Sequence, residues 1–196
     1  QIRTIAPETC VTDPETGINN CILATQNVPA KIKGAEIELY TRPTDNLDLG
    51  LGVSLLDAKA YELGYVYQGE IITWETRQML QAPDYTVNGQ ITWNLPLAGG
   101  DNGGIELHTN FNFVAEQNYD PFNGEALRQK PYTYVYASVK YRPRNQNWEI
   151  YAWTRNALNE FYRRGGDDFS ATRRYHSIAI NPPRWYGLTF RYNFNL

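Results

Sequence analysis

Apolar and polar residues alternate with a period of two along most of the chain. At the C-terminal end Tyr186, Leu188, Phe190, Tyr192, Phe194 and Leu196 fall in one set, and Gly187, Thr189, Arg191, Asn193 and Asn195 in the other. Successive strand side chains point to opposite faces, so this reads as a strand with one apolar and one polar side. A helix would mix the two sets around its circumference. The same alternation occupies residues 35–39, 47–55, 85–93, 105–115, 135–141 and 148–152. The pattern predicts about seven strands of roughly ten residues, the length that crosses a bilayer at a tilt of about 45°. Strands of soluble sheets are typically only about five or six residues long.

The connections between these runs alternate as well. Short Pro/Gly/Asn-rich turns fall at 42–46, 96–103 and 142–147, and long polar stretches at 6–29, 56–82, 117–131 and 156–183. An antiparallel meander then carries all short turns at one end and all long loops at the other, as outer-membrane barrels do. On the apolar face Trp93, Tyr141, Trp148 and Phe194 lie beside the short turns, and Tyr85, Phe113 and Tyr186 beside the long loops. These read as two interfacial aromatic girdles. A soluble antiparallel sandwich or lipocalin-like barrel shares the alternation but would turn the apolar face inward.

Composition removes several alternatives. The 21 acidic and 18 basic residues leave a net charge of −3, without the basic excess that marks a nucleic-acid binder. No apolar run is long enough for a transmembrane helix. The chain begins Gln1-Ile2-Arg3 with no initiator Met or apolar leader. That is expected of a chain whose signal peptide has been removed, or of a piece of something longer. Cys10 and Cys21 lie in a polar Pro/Gly/Asn-rich stretch. They read as a local disulfide in an oxidising compartment, the alternative being two loop thiols. No hydrolase, P-loop or zinc motif occurs, so no catalytic residue, metal or cofactor is expected.

Candidate chemistry lies on the polar face and in the long stretches. Glu36, Glu38, His108, Arg155 and Arg191 are expected to line a hydrated lumen. Tyr61, Tyr65, Tyr67 and Trp74, in one long stretch, are candidates to stack on a substrate ring. Arg163, Arg164, Arg173 and Arg174, in the last one, are candidates for contact with an anionic chelate or with lipopolysaccharide.

Several segments resemble the barrel of TonB-dependent outer-membrane receptors. Ile32-Lys33-Gly34-Ala35-Glu36-Ile37-Glu38-Leu39 resembles the family's KGxExE strand, and Arg42-Pro43-Thr44-Asp45-Asn46-Leu47 follows as it does there. Ala82-Pro83-Asp84-Tyr85-Thr86-Val87-Asn88, the stretch Asn156-Ala157-Leu158-Asn159-Glu160-Phe161-Tyr162 and Pro182-Pro183-Arg184-Trp185-Tyr186-Gly187 match further segments in order. The chain departs from the family in the Ala157 of Asn156-Ala157-Leu158 and in ending on Leu196 rather than Phe. The resemblance implies an all-β antiparallel transmembrane meander. It would supply about eight strands, counting a truncated one at 1–5, of a barrel of about 22 strands around an N-terminal plug. Residues 1–196 would be the C-terminal part of that barrel, in the bacterial outer membrane. The implied function is uptake of a scarce nutrient, namely siderophore-iron, cobalamin or a saccharide. The implied partners are the TonB complex through an absent N-terminal region, a small-molecule or chelate substrate, outer-membrane lipid and lipopolysaccharide, and the barrel assembly machinery. The terminal strand, with Gly187, Phe190, Tyr192, Phe194 and Leu196, would serve assembly. The alternative is a self-contained eight-stranded barrel acting as an anchor or a lipid-modifying enzyme.

Overall fold

The computed structural model describes residues 2–17, 19–67, 70–97, 103–120, 123–168 and 175–194. In chain order the strands are β1 (Ile2–Thr12), β2 (Asn19–Val28), β3 (Ala30–Thr44), β4 (Leu47–Tyr67), β5 (Glu70–Gln78), β6 (Tyr85–Pro96) and β7 (Gly104–Val114). They continue with β8 (Gln117–Asn118), β9 (Arg128–Gln129), β10 (Tyr132–Arg142), β11 (Trp148–Arg155), β12 (Arg163–Asp168), β13 (His176–Ile180) and β14 (Trp185–Tyr192). A 3-10 turn at Glu125–Leu127 precedes β9.

Seven of these strands form the expected meander. They pair antiparallel in the order β3-β4-β6-β7-β10-β11-β14, and β5 adds to the far end of β4 to complete an eight-stranded sheet. Each alternating run found in the sequence falls on one of the seven, but the last is shorter than expected: β14 ends at Tyr192, Phe194 lies beyond it, and Leu196 is outside the described residues. The eighth strand is β5 rather than the segment 1–5. Residues 2–12 instead pair with β2 in a separate hairpin.

The register keeps the two sets of side chains apart across the whole sheet, because ladder partners share a face. Leu47, Trp93, Leu107, Val139, Ala152 and Leu188 form one continuous row. The adjacent row on the opposite face is Asp48, Thr92, His108, Ser138, Trp153 and Gly187. The apolar face is uncovered: Ile37 is 69% exposed, Leu188 70% and Phe190 63%. A soluble sandwich would bury that face under a second sheet. A membrane wall leaves it to lipid.

Local chemistry sets the ends. Between Thr41 and Thr44 the β3–β4 register slips, next to Pro43, which has no N–H for the ladder. The β1–β2 turn closes with Gly17 at φ 66°, its N–H donating to the Asp13 carbonyl, while the Asp13 carboxylate accepts from Glu15 N–H at 2.8 Å.

The long polar stretches contain more strand than their composition suggests. β4 runs on to Tyr67 and returns as β5, and residues 163–168 and 176–180 form the β12–β13 hairpin. Among the described residues, buried apolar side chains gather at the long-loop end of the sheet and in the loops beside it, at Val28, Ala58, Ala60, Ala82, Val114, Ala115 and Leu127. β3 and β14 stand at opposite edges of the sheet.

Candidate functional site

The polar face carries three levels of charged and aromatic chemistry. Nearest the short turns, Lys140 Nζ lies 2.8 Å from Glu106 Oε1 across the β7–β10 ladder. Beside it Glu149, 8% exposed, bridges Arg142 Nη2 at 2.9 Å and Arg191 Nη1 at 2.7 Å. One carboxylate thus ties β10, β11 and β14 together through charge-assisted bonds.

Midway up the face, His108 Nδ1 lies 2.9 Å from Thr92 Oγ1, and its Nε2 lies 3.4 Å from Asn110 Nδ2. Its ring tilts against Tyr136, with centroids 6.0 Å apart.

The third level is a cationic–aromatic patch on β10, β11 and β14. The Arg155 guanidinium sits 5.5 Å from the Trp153 ring and 5.0 Å from the Trp185 ring. The two indoles meet edge to face at 5.1 Å and 88°. Trp153 is held by its Nε1–H, which donates to Thr189 Oγ1 at 3.1 Å. It also lies over Gly187, where a Cβ would come within 2.5 Å of the indole. Tyr136 faces Arg155 across the ladder. Among the described residues Arg155 forms no salt bridge, so its charge is held by π faces and left open to a ligand.

Above this patch two loops lock into a rim. The Tyr132 and Tyr162 rings stack at 3.9 Å and 8°. Tyr119 donates its hydroxyl to the Arg163 carbonyl at 2.9 Å, and Gln129 Oε1 accepts from Arg163 N–H at 2.6 Å. Burial holds the Tyr119 and Tyr162 phenols above their ordinary pKa. The hairpin β12–β13 rests on Leu127 through Gly166, where a Cβ would lie 2.8 Å from Leu127 Cδ2 and 2.6 Å from the Ser177 carbonyl.

Two asparagines close the neck of the last loop. Asn156, 1% exposed at φ 50°, donates Nδ2 to the Glu160 and Pro182 carbonyls at 2.9 and 3.1 Å, and its Oδ1 accepts from Glu160 N–H at 2.9 Å. Asn181 accepts from Tyr162 N–H at 2.9 Å and donates to the same two carbonyls, each at 2.9 Å.

The expected lumen residues Glu36, Glu38, His108, Arg155 and Arg191 all fall on the polar face by register. Glu36 accepts from Ser54 Oγ at 3.4 Å. Tyr61 pairs with Thr76 on the ladder that extends the apolar-face row of β4 upward. Tyr65, Tyr67 and Trp74 belong to the same β4–β5 ladder, and their side chains lie outside the described residues. Arg163 donates to the Arg128 carbonyl within the rim, while Arg164 is exposed on β12. Arg173, Arg174 and Leu196 lie outside the described residues. The backbone register sets Cys10 opposite Cys21; their side chains also lie outside the described residues. Sequence reading missed Trp153, Trp185, Tyr136 and the two asparagines. A cation-bearing strand end flanked by two tryptophans was the available signal.

A one-layer meander with a lipid-ready face, a polar face and all long loops at one end defines an outer-membrane β-barrel wall. The family model for the TonB dependent receptor-like β-barrel matches residues 9–157, and the chain belongs to that family. Its place is the outer membrane of Gram-negative bacteria. No curated protein matches the sequence significantly. Among solved structures, the ferric yersiniabactin uptake receptor FyuA of Yersinia pestis matches with a TM-score of 0.70 at 14% identity, over 98% of this chain and 34% of that one. The siderophore receptor PiuA of Acinetobacter baumannii gives 0.62 at 17% identity, over 96% and 24%. BauA, the ferric preacinetobactin receptor of the same organism, gives 0.61 at 20% identity, over 95% and 26%. The chain therefore spans about a quarter to a third of the length of these receptors.

Proposed function

We propose that residues 1–196 form the C-terminal wall of an outer-membrane active-transport receptor, with the plug and remaining strands supplied by the rest of the receptor. The receptor imports a scarce nutrient, using energy coupled from the inner membrane through TonB. A ferric siderophore is the favoured cargo, since the similar structures are receptors for ferric yersiniabactin, a siderophore and ferric preacinetobactin. The observation that carries this reading is the Arg155 patch. Its guanidinium faces the lumen between two indoles and has no carboxylate partner among the described residues. It offers positive charge and flat apolar surface together, which suits an anionic chelate with ring systems.

The test uses the whole receptor. Arg155→Ala is expected to weaken binding of the ferric chelate by about 10–100-fold, the worth of one charge-assisted contact. Deleting TonB is expected to abolish uptake while leaving binding intact. Uptake that continues without TonB would overturn the active-transport reading. Unchanged binding in Arg155→Ala would remove the patch from the site.

A further inference from the structure

The last wall strands and the loop above them make one long hairpin. β11 rises into β12, and β13 descends into β14; β11 pairs with β14 below, and β12 with β13 above. The neck between the two ladders is pinched, not broken. Asn181 N–H donates to the Tyr162 carbonyl at 3.0 Å, one rung below the Arg163–Ile180 pair. Residues 156–161 bulge from the rising side and are held by the Asn156 amide. β13 therefore continues the line of β14 away from the short turns. Each of the two has its partner on the side of the rising chain, so their outer edges lie on the same side.

The outer edge of β13 is bare. Among the described residues β13 pairs with β12 alone, and all five of its residues are exposed. Ile178 is 42% exposed and Ile180 53%. A strand edge left to water is ordinarily blunted by proline, lysine, a bulge or an inward charge, since a flat apolar edge templates pairing with any strand it meets. His176-Ser177-Ile178-Ala179-Ile180 contains no proline, lysine or acid, and His176 Nδ1 lies 3.0 Å from Asp168 Oδ1 within the hairpin. Blunting residues stand just below, at Pro182 and Pro183, which have no N–H to offer a neighbour. β13 thus has the composition of a covered edge.

We propose that the barrel strand closing against β14 continues above the membrane and pairs antiparallel with β13. This rests on the reading of the chain as the C-terminal wall of a larger barrel. Closure requires a strand along β14, because lipid does not tolerate its open edge. In an antiparallel barrel that strand rises where β14 descends. Carried past Trp185 it meets residues 184 to 176 in turn, about 30 Å of extended chain at about 3.3 Å per residue. It receives no donor from Pro182 or Pro183, bows out there, and rejoins at Ile180. Ile178 and Ile180 share one face of β13 and call for apolar residues at alternate positions of the incoming strand. The occupant is a strand of the same receptor, delivered by the closure of its own barrel. A second copy would have to reach β13 past that strand. The last loop, already seated on Leu127 through Gly166, is then fastened on both flanks.

The whole receptor in outer-membrane vesicles tests this, with the photoreactive p-benzoylphenylalanine in place of Ile180 or, separately, of Phe190. Heat-modifiable gel mobility selects the folded receptor in both. Phe190 lies on the membrane part of β14, and the probe there is expected to cross-link to the closing strand. The probe at Ile180 is expected to cross-link about ten residues further along that same segment, as one-to-one antiparallel pairing requires. Deuterium exchange of the unsubstituted receptor supplies the backbone readout. A strand with one partner protects alternate amides. With both edges paired, β13 is expected to protect all of them, slowing the outward-facing amides by about tenfold. A cross-link from Phe190 without one from Ile180 would overturn the proposal and leave the closed barrel standing. Absence of both would overturn the barrel reading with it. A cross-link from Ile180 to a second copy or to another protein would overturn the proposal, as would rapid exchange at alternate amides of β13.

Discussion

Asn156 shows how much one side chain can hold. Its amide satisfies two carbonyls and one N–H, and its backbone occupies the left-handed region that asparagine tolerates better than most residues. Asn156→Ala removes all three bonds and adds backbone strain. Asn181 still donates to both carbonyls, so the group orphaned is the Glu160 N–H, at a cost of about 1–3 kcal/mol. Asn156→Gly keeps the backbone at ease and is expected to destabilise less than Asn156→Ala. Denaturant midpoints of the whole receptor read the difference, and a larger loss for Asn156→Gly would put the importance in the backbone's surroundings and not in φ. The sequence shows the Asn156-Ala157-Leu158 segment but not this role, because the carbonyl of Pro182 lies 26 positions away. A clasp made of distant backbone atoms leaves no periodic trace.

The same scale governs the rim's response to alkali. Burial favours the neutral phenols of Tyr119 and Tyr162, so their folded pKa values lie above the unfolded ones. The unfolded rim then releases protons first as pH rises. The stabilisation is fully present below about pH 10, the ordinary tyrosine value, and is lost as pH climbs through the folded values. Hydrogen exchange across residues 117–129 and 162–168 is expected to accelerate above that pH, while the β6–β7 ladder does not follow. Uniform acceleration would show that the phenols do not hold the rim.

Among elements, strand β10 offers the sharpest test of facing. Ser138 and Val139 are neighbours on opposite sides. Val139→Arg puts a charge against lipid and is expected to cost about 2–4 kcal/mol if it sits near the bilayer midplane. Ser138→Arg turns into the hydrated lumen and is expected to cost far less. Refolding into lipid vesicles under denaturant titration measures both, and equal costs would reject the assignment of faces. The seven wall strands were legible because lipid on one side and water on the other impose a strict two-residue period. The hairpins β1–β2, β4–β5 and β12–β13 were not, because they fall in the long polar stretches, whose sequence carries no sustained two-residue period. Gly165 and Gly166 within β12 even read as loop, yet Gly166 provides the close approach to Leu127.

At the level of the whole molecule, β3 and β14 leave two ladder edges at opposite ends of one open sheet. Unpaired backbone groups cost several kcal/mol each in hydrocarbon, so a stable wall needs both edges covered. Refolded alone in detergent, residues 1–196 are expected to form heterogeneous associations and not a monodisperse, heat-modifiable monomer. Such a monomer would favour the self-contained small barrel over the larger one.

The edge-to-face contact of Trp153 and Trp185 has an optical side. Two indoles whose planes stand at 88° with centroids 5.1 Å apart couple their electronic transitions into a chiral pair. They should give a split circular-dichroism band that neither ring gives alone. Arg155 lies against both rings, so whatever draws its guanidinium away alters the band. Gly187 beneath Trp153 leaves the ring the room this geometry needs. The wall therefore carries its own spectroscopic gauge, one that registers an arriving anion without any attached label and goes silent in Trp153→Phe.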